Sequence, residues 1–368
     1  MGEWKQCKLK DICKTNASSY SSKDNYSFVN YLDTGNITQN VIDEVQFIDI
    51  EKDKLPSRAK RKVKYNSILY STVRPNQLHY GIIKEQPENF LVSTGFTVID
   101  VDEKMADADF IYYYLTQYEV TESMQAIGEQ STSAYPSIKA SDLEDLDICL
   151  PTLEEQKKIA SFLKSLDAKI TINSGINNNL EQQMLSMFQS SFSDLYNSKQ
   201  STFESIIQFS NGKKRPNEIG NIPVYGGNGI LAYTNKSNAE NCIIIGRVGA
   251  YCGNVFLSSS CCWVSDNAIQ AKSKISDCQL FTYFALKGAN LPSRHIGTGQ
   301  PLMTQGILNS IPFGEPNIAD VKLFEDKCLP LQQAIENNIA ENTVLLGAMD
   351  ALLPKLMSGE LDLSEIDI

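Results

Sequence analysis

Residues 151–189 read PTLEEQKKIASFLKSLDAKITINSGINNNLEQQMLSMFQ. Thr152 can cap a helix, with Glu155 three positions on completing a capping box. Apolar residues recur at Leu163, Leu166, Ile170, Leu180, Met184 and Met187. With Leu163 as position a and Leu166 as d, one seven-residue frame holds throughout, with Asn173 and Asn177 as its two polar members. The spacing predicts a helix of about 35–40 residues, about 55–60 Å long. Residues 316–354, PNIADVKLFEDKCLPLQQAIENNIAENTVLLGAMDALLP, repeat the pattern with Cys328, Leu331, Ile335, Leu345, Met349 and Leu352. The same two frame positions are again asparagine, Asn338 and Asn342. A shared asparagine layer suits two long helices packed on each other rather than two helices serving separate domains.

The repeat extends outward from these helices. At a displacement of 165 residues Pro136 falls on Pro301, Leu143 on Leu308, Leu146 on Ile311, Ile148 on Phe313 and Pro151 on Pro316. Farther upstream only Asn66-Ser67-Ile68 still resembles Asn241-Cys242-Ile243. The chain therefore alternates variable and shared parts: 1–150, 151–200, 201–315 and 316–368. The variable parts carry short β-type runs at 66–73, 94–101, 242–248 and 267–271, punctuated by Gly, Pro and Asn. Helical patches at 110–118 and 280–286 interleave with them. Each variable part reads as a compact α+β domain, and the whole as an α+β protein with a pseudo-twofold internal repeat.

Composition narrows the function. The 368 residues are 42% hydrophobic and 21% charged, which suits two or three packed domains. No run reaches the ~18–20 apolar residues of a membrane span, and the first residues carry no apolar stretch for a signal peptide. A cytoplasmic protein is expected. The nine cysteines are odd in number and form no CxxC pair, so we read them as reduced thiols rather than disulfides or zinc ligands. Only two histidines occur, His79 and His295, too few for a histidine metal site. A P-loop, a G-x-G-x-x-G turn, a G-x-S-x-G elbow and the Asn/Asp-Pro-Pro-Tyr tetrad that grips an extruded base are all missing. No catalytic residue and no metal ligand is assigned.

The net charge of −11 hides a local pattern. Segments 1–150 and 316–368 each sum to −7, 151–200 is balanced, and 201–315 sums to +3. Within the acidic first segment, Lys52, Lys54, Arg58, Lys60, Arg61, Lys62 and Lys64 crowd together, and the second variable segment has Lys213-Lys214-Arg215. One basic cluster per variable domain suits contact with nucleic-acid phosphates.

Residues 151–167 resemble the first conserved helix of type I restriction–modification specificity subunits, and Leu352-Leu353-Pro354-Lys355-Leu356-Met357-Ser358-Gly359-Glu360 resembles the end of their second. Ser93–Phe96, Gly246–Gly253 and Trp263–Ala268 resemble recurring elements of the family's target-recognition domains. The second helix departs from the pattern: Pro316–Asp320 lacks the Glu-Glu-Gln triplet. The resemblance implies two α/β target-recognition domains, 1–150 and 201–315, separated by two long antiparallel coiled-coil spacer helices, 151–200 and 316–368. It implies a non-catalytic chain that reads a bipartite, asymmetric site in double-stranded DNA and docks two methyltransferase subunits, with restriction subunits joining for cleavage. S-adenosylmethionine would sit on the methyltransferase partner, and this chain would hold no cofactor. Two other readings remain open: the specificity region of a single-chain restriction–methylation enzyme, and a helical scaffold that binds protein only.

Base readout needs amide and guanidinium groups facing base edges. The candidates are Arg74, Asn76, Gln77, Ser131, Thr132 and Ser133 in the first domain, and Arg247, Tyr251, Arg294, Gln300 and Gln305 in the second. Lys60, Arg61, Lys62 and Lys213, Lys214, Arg215 are the phosphate candidates. For the helices, an antiparallel register whose paired numbers sum to 515 sets Asn173 opposite Asn342 and Asn177 opposite Asn338. Every apolar frame position then meets an apolar one. A slip of one heptad would bury amides without partners at about 1–3 kcal/mol each.

Overall fold

A computed structural model describes residues 4–131, 135–198, 200–297 and 299–363. It contains two compact units, Met1–Ile170 with Asn342–Ile368, and Thr171–Glu341. The long helices run over Leu153–Phe192 and Ile318–Ser358, close to the predicted bounds. Sequence set them apart as segments of their own; packing divides each between the units, because their apolar faces complete the cores. Ile159, Leu163 and Leu356 enter the core of the first unit. Met184, Phe188 and Phe324 enter that of the second. Among the described residues no helix is long and apolar enough to cross a membrane.

The first helix starts where its sequence predicts, with half of the expected capping box: the Glu155 N–H donates to the Thr152 hydroxyl at 3.3 Å. Gln156, the last residue of the Glu-Glu-Gln triplet, is 1% exposed. Its amide donates to the Pro151 carbonyl at 2.9 Å and accepts from the Asp107 N–H at 2.8 Å. Asp107 in turn caps helix Ala108–Leu115 by accepting from Phe110 N–H at 3.0 Å. The second helix lacks the triplet and begins on Asn317, whose side chain accepts from Ala319 N–H at 2.8 Å.

The first unit holds two four-stranded sheets. One has the order Gln46–Asp49, Phe28–Leu32, Phe90–Ser93, Ala59–Lys62, and the other Cys13–Thr15, Phe96–Val101, Ile68–Ser71, Tyr80–Ile82. A further pair, Lys5–Lys8 with Asp147–Leu150, brings the two ends of the domain side by side before the long helix begins. In the second unit a single six-stranded sheet runs Ile207–Asn211, Ala268–Ser273, Ala239–Gly246, Val255–Val264, Ile222–Gly226, Gly229–Thr234. The difference turns on the Asn66/Asn241 match. Both residues are left-handed, with φ of 69° and 41°. In the first unit Asn66 lies in a break between strands 59–62 and 68–71, whereas in the second Asn241 is absorbed as a bulge and the strand continues.

Helix Gln279–Gly288 packs against this sheet, and its buried N-terminus is capped from outside the helix. The Glu325 carboxylate, on the second long helix, accepts from the N–H groups of Leu280 and Phe281, both at 2.9 Å. Burial raises its pKa, while those two bonds pull the other way. Glu325→Ala leaves both donors orphaned in the interior. It should cost the second unit about 1–3 kcal/mol, read as a lower urea midpoint. An unchanged midpoint would mean that water replaces the carboxylate without loss.

The helix register matches expectation at its centre. Asn338 donates to the Asn177 side-chain carbonyl at 2.8 Å, the pairing that sums to 515. Met184, Met187, Cys328, Leu331 and Ile335 share one core, as that register requires. Asn173, 2% exposed, donates to the Glu341 carboxylate at 2.7 Å, and Asn342 donates to the Ile170 carbonyl at 3.4 Å.

Candidate nucleic-acid interface

In the first unit three loops meet beyond strand Ile68–Ser71. The Thr72 N–H donates to the Gly95 carbonyl at 2.8 Å, and its carbonyl accepts from Ile138 N–H at 2.9 Å. The Arg74 N–H donates to the Pro136 carbonyl at 2.9 Å, and the turn closes with Gln77 N–H to the Arg74 carbonyl at 2.9 Å. The second unit uses the same four bonds. Arg247 N–H donates to Asn267 at 2.9 Å, Met303 N–H to Arg247 at 2.8 Å, Gly249 N–H to Pro301 at 3.0 Å and Cys252 N–H to Gly249 at 3.0 Å. Strand pairing matches as well: Phe96 faces Ser71 as Ala268 faces Gly246. The repeat that sequence lost upstream of the helices is thus continuous in the backbone.

This frame places side chains in matched pairs: Thr72 with Arg247, Arg74 with Gly249, Asn76 with Tyr251, and residue 135 with residue 300. Asn76, Gln77, Tyr251 and Gln300 are all exposed on it. Asn76 is steadied by its own N–H, which donates to the Gln125 side chain at 3.3 Å. The Arg74 guanidinium lies 4.3 Å from the ring centroid of Tyr135. Sequence reasoning passed over Tyr135, although the 165-residue displacement that sets Pro136 on Pro301 also sets Tyr135 on Gln300. Arg58, named in the basic run, stands beside the Gly95 turn, its carbonyl accepting from Thr94 N–H at 2.8 Å. Ser131 lies at the edge of this cluster; Thr132 and Ser133 fall outside the described residues.

In the second unit Arg247 is held from several sides. Its Nη1 donates to the Asp266 carbonyl at 3.4 Å, while its buried Nε has no partner. Gly246 is required beside it, since a Cβ there would stand 2.2 Å from the Tyr251 carbonyl oxygen. Lys213 joins the same end of the sheet: its N–H donates to the Val264 carbonyl at 2.9 Å and its carbonyl accepts from Trp263 Nε1 at 3.2 Å. Lys213, Lys214 and Arg215 are all exposed. Arg294 and Gln305 have local work. Arg294 Nε donates to the Ala289 carbonyl at 2.7 Å. Oriented to satisfy its neighbours, the Gln305 amide donates to the Phe209 carbonyl at 3.3 Å and accepts from Asn211 N–H at 3.2 Å.

The cations of residues 60–62 stand on strand Ala59–Lys62, at the edge of its sheet. Successive side chains on a strand point to opposite faces, so three in a row cannot share one face. Lys60 is exposed, and Arg61 is half-buried with its Nε unpartnered. Lys62 forms an ion pair with Asp24 and lies 5.8 Å from the Tyr26 ring centroid. The hydrogen bond from Lys62 holds Asp24 below the usual carboxylate range.

A family model described as the type I restriction modification DNA specificity domain matches residues 1–182 and 199–336. The chain is similar to the type I restriction enzyme HindI specificity subunit of Haemophilus influenzae, with 32% identity over 194 residues, 53% of this chain and 42% of the relative. It is 27% identical over 180 residues to the putative type I restriction enzyme MjaX specificity subunit of Methanocaldococcus jannaschii, 47% of this chain and 42% of the relative. The chain thus spans less than half the length of these curated relatives. The crystal structure of a type I restriction–modification system S subunit from M. genitalium shares the fold, with a TM-score of 0.54 and 18% identity over 96% of each chain. The match to the family model over most of its length establishes that this chain belongs to the type I restriction modification DNA specificity domain family.

Proposed function

We propose that the chain is the DNA-reading subunit of a type I restriction–modification complex, and that each unit reads one half of a bipartite, asymmetric site. One observation carries this reading: the two units build the same loop frame and furnish it with different side chains. A shared frame gives both readers one way of approaching a duplex, and unlike side chains give unlike half-sites. The long helices support a second role, docking of methyltransferase subunits that bring S-adenosylmethionine, with restriction subunits joining for cleavage. They expose Ile172, Ile176, Leu329 and Ile339 in the second unit, and Val344 and Leu346 in the first. Apolar side chains left in water along a helix suit a protein partner. The chain itself is proposed to be non-catalytic. Purified alone, it should transfer no methyl group and cut no DNA; methylation by the isolated chain would overturn this.

The basic strand offers a graded test. Neutralising Lys60, Arg61 and Lys62 to glutamine should weaken binding at every sequence alike. Every phosphate that the chain no longer neutralises flattens the salt dependence of log K by about 0.9. Because Asp24 already neutralises Lys62 and the half-buried Arg61 points to the face opposite Lys60, the slope should fall by about 0.9, the value for one phosphate rather than three. A changed choice of methylated sequence would instead assign these residues to base readout.

A further inference from the structure

The shared loop frame needs a left-handed backbone at two places. The second unit meets both with glycine, Gly249 at φ 78° and Gly253 at φ 90°. The first unit sets Arg74 and Leu78 at the matching places, at φ 49° and 58°. An L side chain is strained in this region, where glycine is free. Leu78 has a packing reason for its strain, being half-buried against the hydrophobic core. Arg74 has none. It lies outside the core and stacks on Tyr135, a ring itself 56% exposed. Nor does it serve a carboxylate, in a chain with 44 acidic residues. Ion pairs among the described residues are made by lysines, and Arg74 enters none.

Strain kept at a half-buried residue that packs into no core points to a use outside the fold. The use fits the geometry of the group. Stacking on an aromatic face fixes the plane of a guanidinium, and the pinned Arg74 N–H fixes where it starts. A phosphate contact needs only a mobile positive charge, not a guanidinium held in one plane. A rigid planar fork matches the O6 and N7 acceptors of guanine. We propose that Arg74, held on Tyr135 as its positioning residue, is the residue by which the first unit selects a guanine in its half-site. This rests on the DNA reading proposed above.

The second unit supplies the control. Because its frame folds with glycine at this place, Arg74→Gly should leave the melting temperature unchanged or raised. The full chain, assembled with a methyltransferase subunit of its own host, is offered a randomised duplex library, and the bound sequences are read. With the unmodified chain one guanine position in one half-site should be strongly selected. In Arg74→Gly that preference should fall about 5- to 150-fold, with the other half-site intact. Arg74→Lys, which keeps the charge and loses the fork, should fall by a similar factor. A loss equal at all sequences, guanine selection retained by the lysine variant, or selection unchanged in the glycine variant would each overturn the assignment. If the unmodified assembly selects no motif, the DNA reading itself fails, and the assignment falls with it.

Discussion

Phe188→Ala should lower the stability of the second unit by about 3–5 kcal/mol, more than any other single change to its aromatic core. Phe188 is fully buried. Its ring lies 5.3 Å from Phe192, 5.5 Å from Phe281 and 5.8 Å from Phe324, centroid to centroid. It thus joins both long helices to helix Gln279–Gly288. Truncation to alanine removes the common neighbour of all three rings. They are held by three different stretches of chain, so the space left cannot collapse easily. Hydrogen exchange along a urea series reads the result, because it reports each unit separately. Protection should drop in strands Ala239–Gly246 and Ala268–Ser273. A loss under about 1 kcal/mol would show that the cluster relaxes around the gap.

Exchange of residues 201–315 for the same segment of another family member should replace one half-site of the methylated sequence and leave the other as it was. The fold gives a reason to expect this cut to be tolerated. The ends of the segment lie side by side: Thr202 bridges Pro312, Phe203 N–H donates to the Ile311 carbonyl at 3.0 Å, and Phe313 N–H to Ser201 at 3.1 Å. A module whose ends already meet can be lifted out without stretching its host. The graft must keep large apolar side chains where Phe203, Phe281, Phe284 and Phe313 stand, since these pack into the core that includes Phe188. Sequencing of modified bases in cells carrying the hybrid gives the outcome. A change in both half-sites would contradict independent readers, and a change in neither would move specificity outside 201–315.

Much of this architecture is legible in the chain, for identifiable reasons. The long helices announce themselves because a seven-residue apolar period over nearly forty positions has few other meanings. Strands Ile68–Ser71, Phe96–Val101 and Ala268–Ser273 are bounded by turn residues and fall close to expectation. Strand Ala59–Lys62 escaped because its alternation is buried in a run of cations. Strand Val255–Val264 escaped because Ser258, Ser259 and Ser260 interrupt its apolar pattern. The candidate site was legible only as a set of residue types. That Lys62 belongs to Asp24, or Gln305 to the Phe209 strand, depends on neighbours far off in the chain. The left-handed turn at Arg74 has no local signature, since arginine gives no warning of positive φ.

The matched hydrogen-bond frame also records how the two halves drifted apart after a duplication. The spacing between equivalent residues falls along the chain, from 194 for Thr15 and Phe209, to 175 for Ser71 and Gly246, 172 for Phe96 and Ala268, and 165 for Pro136 and Pro301. Each step is a net gain of residues in the first half or a loss in the second. The steps fall between 15 and 71, between 71 and 96, and between 96 and 136, and the largest spans the hairpins of the first four-stranded sheet. Inheritance has therefore altered length and strand content between the matched positions while preserving the pairing at them. Of the three intervals, only 15–71 lies wholly ahead of the Arg74 turn, so a peptide tag or a fluorophore entering there, outside strand Ala59–Lys62, should disturb what the protein reads least.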